Sequence, residues 1–359
     1  MHVKITETAF IGQKIFVGLD IHKKDFKVSV IVDDMFYKTF TSPANAQKVV
    51  NYLQENFPGA EYYSAYEAGF SGFGLHKQLT ECNVKNIVVS PADIPTTDKE
   101  RKQKEDKRDS LKIARNLQKG QLQGIYVPTE KTLQDRSLIR SRDTIVKEIR
   151  RTKQRIKSFL YFFGINYPDK FESSNTHWSK NFIKWLASIS FENESAKQAL
   201  QIHINIFTHH RQLLLQVTRQ IRQLSKSEAY KEGVELIITV PGVGMLTAIR
   251  LLTELETITR FPNLNHLHSF VGLVPYTDSS GDKEGVMGVT PRHSFYLRSA
   301  IIESAWVAIR NDAALMSKYL SYRKRMDDNV AIVRIGKILL NRIVYVLRKK
   351  EKYERNIVK

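Results

Sequence analysis

The chain has 359 residues, with 56 Lys and Arg against 37 Asp and Glu, which gives a net charge of +19 at pH 7. This length allows two or three domains, and the basic excess predicts a polyanionic partner. Cys82 is the single cysteine, which excludes an intrachain disulfide and a cysteine-rich metal site. The sequence has no apolar run long enough to span a membrane and no signal-peptide core at its start, so we expect a soluble intracellular protein.

The positive charge is concentrated in three segments. Basic residues exceed acidic residues by 5 in residues 101–120, by 7 in 131–160 and by 9 in 318–359. Three separate basic segments favour contacts spread along an extended nucleic acid. A solvated basic surface is the alternative.

The N-terminal region predicts an α/β domain. Short apolar runs rich in β-branched and aromatic residues indicate strands, and apolar residues at helical spacing indicate helices. The predicted elements are strands 14–21, 26–32 and 35–40, a helix over 42–56 capped by Ser42, strand 61–67, helix 72–82 and strand 86–89. Three antiparallel strands followed by right-handed crossovers place the first strand beside the fourth, at the middle of the sheet.

Acidic residues lie at the ends of two of these predicted strands. Asp20 ends the first strand and Glu67 ends the fourth, so their carboxylates can converge at the edge where open α/β sheets hold their sites. Residues 104–115 predict a further helix with Asp106 and Asp109 on one face. Together the four carboxylates offer the oxygen ligands that a divalent cation prefers. The alternatives are a strand-end cap for Asp20 and surface ion pairs for the others.

The middle of the chain predicts two long amphipathic helices, over 129–163 and 196–224, separated by an aromatic segment. They can form an intramolecular bundle or pair with another copy as a coiled coil. Basic residues of the first helix are candidate nucleic-acid contacts: Arg136, Arg140, Arg150, Arg151 and Lys153.

The C-terminal region contains Pro-Gly-Val-Gly between apolar helical segments. This pattern is typical of a helix-hairpin-helix turn, in which Gly242 and Gly244 let backbone amides approach a DNA phosphate. A tight turn without a ligand is the alternative. Further along, Ser280 lies in a Ser-Ser-Gly loop, which by itself is an ordinary turn.

The ordered motifs Gly18-Leu19-Asp20, Tyr66-Glu67-Ala68, the Lys104 to Asp109 segment and Ser280-Gly281 resemble the DEDD transposases of bacterial insertion sequences. The resemblance covers nearly the whole chain. It implies an α/β ribonuclease-H-like, RuvC-like metal-binding domain over 1–124 and a helical coiled-coil dimerisation region over 125–230. A mainly α C-terminal domain with a helix-hairpin-helix-like element would occupy 231–359.

The resemblance also implies a site and partners. Asp20, Glu67, Asp106 and Asp109 would bind Mg²⁺ or Mn²⁺, and Ser280 would be the nucleophile that attacks a DNA phosphodiester. The implied partners are donor and target double-stranded DNA, a structured guide RNA, and further copies of the chain in a dimer or tetramer. The implied location is the bacterial cytoplasm, at the nucleoid.

The sequence departs from the family pattern after Ser280. His293-Ser294 stand where a Gly-Asn turn is expected, and Arg292 is the base that remains before them. Arg292 and Arg298 are candidate DNA contacts. Three alternatives stay open: a site-specific invertase without guide RNA, a hydrolytic junction resolvase in which Ser280 is a turn residue, and a non-catalytic nucleic-acid-binding protein.

Overall fold

The computed structural model describes residues 10–95, 106–280, 283–290 and 293–354. Within these ranges it describes the side chains of all residues except 106–108, 276–280 and 283–287. The chain divides into two compact units, with the boundary after Val127. The regions predicted as a helical middle and a C-terminal domain fall in the same second unit.

A mixed five-stranded sheet forms the centre of the first unit, in the order β3-β2-β1-β4-β5. The first three strands pair antiparallel, and β1 with β4 and β4 with β5 pair parallel. The predicted position of the first strand beside the fourth is confirmed. The strands are β1 Lys14–Ile21, β2 Asp25–Val32, β3 Met35–Pro43, β4 Glu61–Glu67 and β5 Lys85–Val89.

Helices cover both faces of this sheet. Helices α1 (Ala46–Asn56) and α2 (Gly74–Glu81) share one apolar core with the residues of β1 that face them. The opposite face carries α3 (Asp106–Gln118), whose Ile113 packs in a separate cluster with Ala65 of β4. This three-layer arrangement is that of an α/β domain.

The predicted cap of the first helix is wrong. Ser42 pairs with Phe26 inside β3, because strand pairing continues to Pro43. The helix starts later, and the Asn45 side chain accepts a hydrogen bond from the Lys48 amide at 3.2 Å.

The second unit begins with the two long predicted helices, α4 (Glu130–Phe162) and α6 (Glu194–Leu224), with α5 (Lys180–Ser188) between them. They form an antiparallel pair: Leu160 and Leu200 share one apolar cluster, and Ile139 and Ile221 share another. The intramolecular bundle is therefore present. Coiled-coil pairing with a second copy stays a prediction.

The rest of the unit is mainly helical, as predicted, except for one hairpin in the region expected to be loop. Ile335, Leu339 and Ile343 of the last helix are fully buried in its core. No helix in the described ranges is both long and apolar enough to cross a membrane. The elements are α7 Lys231–Ile237, α8 Met245–Leu255, α9 Leu264–Val271, the hairpin β6 Pro275–Ser280 and β7 Lys283–Val289, α10 Phe295–Asn311, α11 Ala313–Arg323 and α12 Asp328–Lys349.

Candidate active site

Two of the predicted acids lie side by side at the carboxyl edge of the sheet. Leu19 pairs with Tyr66 in parallel register, so Asp20 and Glu67 are the next residues along β1 and β4. Neighbouring strands are about 5 Å apart. Because side chains alternate along a strand, Asp20 and Glu67 belong to the same face as Gly18 and Ala65, which is the face that α3 covers.

Helix α3 sits on β1 at Gly18. A Cβ atom there would overlap the carbonyl oxygen of Ser110 and the amide nitrogen of Ala114, so this position has no room for any side chain. The hydroxyls of Ser110 and Ser29 are 2.8 Å apart, and both residues are fully buried. A glycine inside a buried strand is the sequence signal of such a close backbone approach.

The direction of α3 follows from contacts at its far end. Gln118 donates a hydrogen bond to Asp34 Oδ1 at 2.5 Å, in the turn between β2 and β3. The neighbouring Asp33 accepts from the amide of Lys14, the first residue of β1. The last turn of α3 thus lies near the start of β1, and its first turn lies toward the carboxyl edge.

That first turn carries the other two predicted acids. Asp106 is the first residue of α3, and its side chain lies outside the described part of the chain. Asp109 is half-buried and immediately precedes Ser110. The elements that carry the four acids therefore converge at one edge of the sheet.

The donor chemistry fits Mg²⁺, although no three His, Cys, Asp or Glu side chains in the described ranges form a cage for a metal. Mg²⁺ takes hard oxygen ligands, keeps several waters and is held through one or two carboxylates in phosphate-handling sites. A set of carboxylates at one edge meets this requirement without a closed cage. His22 adds a neighbour: its Nε2 lies 3.2 Å from Asp20 Oδ2.

Ser280 lies in the second unit. It is the last residue of β6 and pairs with Lys283 of β7, and its side chain lies outside the described part. At the base of this hairpin the Thr290 amide donates to the Val274 carbonyl at 3.0 Å, just beyond the pair Pro275 and Val289. Arg298 donates to the Thr290 carbonyl at 2.8 Å. Arg292 lies outside the described residues.

Two of the predicted nucleic-acid contacts are used inside the second unit. Glu254 is buried and accepts two hydrogen bonds from Arg140, at 2.8 and 2.9 Å. Arg136 is buried beside it and donates to the Thr253 carbonyl. Burial disfavours the charge of Arg140, but the hydrogen bonds and charge of Glu254 outweigh it and hold the Arg140 pKa above its usual value. Arg136 and Arg140 therefore make contacts inside the second unit, and the proposed nucleic-acid surface does not include them.

The other basic residues of α4 lie nearer its C-terminal end. Arg150 is exposed, and Arg151 is exposed and pairs with Glu148 one turn earlier. Lys153 lies over the Trp178 ring at 5.2 Å. Burial, and then the neighbouring charges of Arg211 and Lys157, lower the Lys153 pKa. This end of the helix therefore concentrates positive charge.

The Pro-Gly-Val-Gly turn lies between α7 and α8, and its helix-hairpin-helix role stays a prediction. Gly242 has φ +82°, and a Cβ atom there would overlap the Ser304 carbonyl oxygen of α10. This glycine is thus explained by packing inside the protein. Gly244 is exposed at the N-terminus of α8, with open space around it, and stays the predicted phosphate contact.

Comparison with known proteins defines the class of enzyme. A family model of IS110-type DEDD transposases matches residues 17–164, and a model of the IS116/IS110/IS902 transposase family matches residues 234–321. The first match contains Asp20 of β1, the whole of β4 and α3, and the second contains the glycine turn and the hairpin whose first strand ends at Ser280. The chain belongs to the DEDD transposases of insertion sequences, enzymes that cleave and rejoin DNA.

Individual relatives agree with this assignment. The transposase of insertion sequence element IS1533 from Leptospira borgpetersenii is 26% identical over 304 residues, covering 82% of this chain and 85% of the relative. A putative transposase, y4qE, from Sinorhizobium fredii is 27% identical over 297 residues, covering 81% and 71%. The pilin gene-inverting protein of Moraxella bovis is 26% identical over 167 residues, covering 44% and 48%.

Proposed function

We propose that this transposase breaks and rejoins DNA by serine transesterification, with Ser280 as nucleophile and Asp20, Glu67, Asp106 and Asp109 as ligands of Mg²⁺. The observation that carries the proposal is the close seating of α3 on Gly18, with its first turn toward the carboxyl edge of the sheet. This seating supports a shared role for acids that are far apart in sequence.

The chemistry assigned to Ser280 is a pair of phosphoryl transfers. Its hydroxyl oxygen attacks the phosphorus of a DNA phosphodiester and loses its proton. The bond from phosphorus to the sugar oxygen breaks, and that oxygen leaves as a hydroxyl after gaining a proton. The resulting phosphoseryl link conserves the bond energy, so a sugar hydroxyl of another strand can reverse the step and join the DNA. Mg²⁺ supplies stabilisation of the negative charge that develops on the phosphate.

The proposal includes a structured guide RNA that pairs with donor and target DNA, and a homo-oligomer that brings the two DNAs together. The net charge of +19 and its concentration in three segments support a polyanionic partner. Sequencing the nucleic acid that stays bound to protein purified from cells carrying the native flanking DNA tests the RNA. A discrete RNA encoded beside the gene is the expected result, and duplex DNA alone would contradict guidance.

Variants of a single hydroxyl test the serine chemistry. We expect Ser280→Ala to abolish cleavage, joining and the covalent protein–DNA adduct that denaturing gels detect. Ser279→Ala, its neighbour on β6, is the matched control and should retain the adduct. Asp109→Asn should abolish Mg²⁺-dependent activity while DNA binding and folding persist. Normal cleavage by Ser280→Ala would leave the hydrolytic resolvase as the better explanation.

Site-specific inversion is the second candidate, because the pilin gene-inverting protein is similar over 167 residues. Insertion and inversion would use the same serine chemistry, so only the DNA products distinguish the two functions. A plasmid with two inverted sites reports inversion, and separate donor and target plasmids report insertion. We expect insertion products; inversion alone would favour the invertase.

A further inference from the structure

An aromatic and basic surface lies at the end of the α4–α6 hairpin, away from the predicted acids and from Ser280 in the sequence. The last turn of α4 carries Tyr161 and Phe162, whose exposed fractions are 89% and 81%. The next residue, Phe163, instead packs against Phe159 and Phe191. Two adjacent aromatic rings are thus left to solvent beside a third that is used for packing.

Phe162 stands between two clefts. One, of about 740 Å³, is lined by Lys157, Tyr161 and Tyr167 among others, and the other, of about 690 Å³, is lined by Arg151, Arg155 and His203 among others. Both clefts include Phe162 and Ser158. Each cleft therefore combines aromatic surface with at least one basic side chain.

The charges decide which occupant fits. Arg155 is exposed and Lys157 is half-buried, and neither has a carboxylate within ion-pair distance among the described side chains. A second copy docking through this same surface would bring these like charges together, which costs free energy. A polyanion with flat apolar groups matches both features, because its phosphates meet the basic side chains and its bases stack on the rings.

We propose that Tyr161, Phe162, Arg155 and Lys157, the hairpin-tip surface, bind unpaired nucleotides of a single-stranded nucleic acid. From Arg155 to Phe162 the helix rises roughly 10 Å, which is enough for one or two stacked nucleotides. Duplex DNA keeps its bases stacked inside the double helix, so they cannot stack on these aromatic rings. This inference rests on the proposed nucleic-acid function, but not on its serine or metal chemistry.

Fluorescence anisotropy with labelled single-stranded DNA and RNA, in the presence of a chelator, tests this surface without cleavage. We expect Phe162→Ala to weaken single-strand binding about tenfold and to leave binding of a matched duplex unchanged. Phe162→Trp should restore affinity. Phe70→Ala removes an aromatic ring that is 74% exposed in the first unit and is the matched control, expected to bind like wild type.

An oligonucleotide with abasic sites separates stacking from folding defects. It keeps the phosphates but has no bases at the modified positions, so wild type and Phe162→Ala should bind it equally. If Phe162→Ala lost the same factor on abasic and normal strands, stacking would be excluded and the proposal overturned. A larger loss on RNA than on DNA would identify RNA as the occupant, and the reverse would identify DNA.

The salt dependence of binding tests the two basic side chains. Replacing both Arg155 and Lys157 with Ala should reduce the slope of log affinity against log salt by about 1.4 for single strands. An unchanged slope would overturn their assignment. Unchanged single-strand affinity of Phe162→Ala, together with an altered oligomeric state in sedimentation, would show that the surface binds protein and would also overturn the proposal. Neither result depends on whether Ser280→Ala still cleaves DNA.

Discussion

At the residue scale, the lack of a side chain at Gly18 sets the position of α3 and so of the proposed metal site. Gly18 lets the backbone of α3 lie directly on β1, and the buried contact between Ser110 and Ser29 holds the same helix against the neighbouring strand β2. Protein interiors are packed without spare volume, so such a contact has no tolerance for an added methyl group. Asp109 immediately precedes Ser110 on α3, so the same contacts fix the position of its backbone.

The first prediction at this scale concerns Gly18→Ala. The new Cβ overlaps backbone atoms of Ser110 and Ala114, which have no rotamer to escape into, so α3 must move away from the sheet. We expect the first unit to lose about 2–3 kcal/mol in free energy of unfolding, and DNA cleavage to fall further than this loss explains. Urea unfolding followed by circular dichroism measures the first effect.

The control for this variant is Gly74→Ala in α2. Apart from its chain neighbours and the nearby backbone of α2, nothing lies within 4 Å of a Cβ built at Gly74, so the substitution should be neutral or slightly stabilising. Equal urea midpoints for Gly18→Ala and wild type would show that α3 is not held by this contact.

At the element scale, a buried carboxylate joins α4 to α8. The Glu254 side chain is 4% exposed and lies against Arg136 and Arg140 of the long helix. Nearby, Glu256 adopts φ +59° and accepts hydrogen bonds from Thr129 and Thr132 at the start of α4. Side chains at the C-terminal end of α8 therefore hold the first turns of α4 against the core of the second unit.

Removing the Glu254 charge tests this attachment. Glu254→Gln leaves Arg136 buried without its counter-charge, so we expect a loss of about 3 kcal/mol in free energy of unfolding of the second unit. Glu194→Gln is the control, because its pair with Lys197 is exposed and its loss should cost less than about 0.5 kcal/mol. A similar small effect for Glu254→Gln would mean that packing alone holds α4 against α8.

Most elements were predictable because their patterns are local. Alternating and continuous apolar runs identified all five strands of the first sheet, and 3.6-residue spacing identified the long helices. The start of α1 was predicted wrongly because Ser42 pairs within β3. The β6–β7 hairpin was missed because its residues, 275–280 and 283–289, are rich in Gly, Ser and charged side chains that resemble a loop.

At the scale of the whole molecule, two units carry separate cores. All three tryptophans, Trp178, Trp185 and Trp306, lie in the second unit. Tryptophan fluorescence therefore follows the second unit alone, while far-ultraviolet circular dichroism follows both. Gly18→Ala should shift only the circular-dichroism transition; a parallel shift in fluorescence would show that the two units unfold as one.

Asp312 provides the complementary test. Burial alone would raise its pKa, but hydrogen bonds from the Leu315 amide and Tyr353 hydroxyl, with the charge of Arg342, hold the pKa below its ordinary value. Its contribution is present above the unfolded pKa of about 3.9 and is lost as the pH falls through the lower folded value. We expect the urea midpoint of wild type, measured by tryptophan fluorescence, to fall as the pH is lowered through this range.

The variant Asp312→Asn should remove this acid dependence and lower the fluorescence midpoint at neutral pH, with a loss of about 3 kcal/mol in free energy of unfolding. The urea midpoint of the first unit, measured by circular dichroism, should not change. An acid dependence equal to that of wild type would assign the effect to other carboxylates.

The sequence by itself determined the α/β character of the first unit, the strand order, the long helices and the family, because periodicity and short motifs are written in neighbouring residues. The tertiary structure alone decided which charges are available. Arg136 and Arg140 look like nucleic-acid contacts in the sequence, yet the carboxylate of Glu254, more than a hundred residues away, pairs with both. The reason is physical: the state of a charged side chain depends on partners that only folding brings within reach.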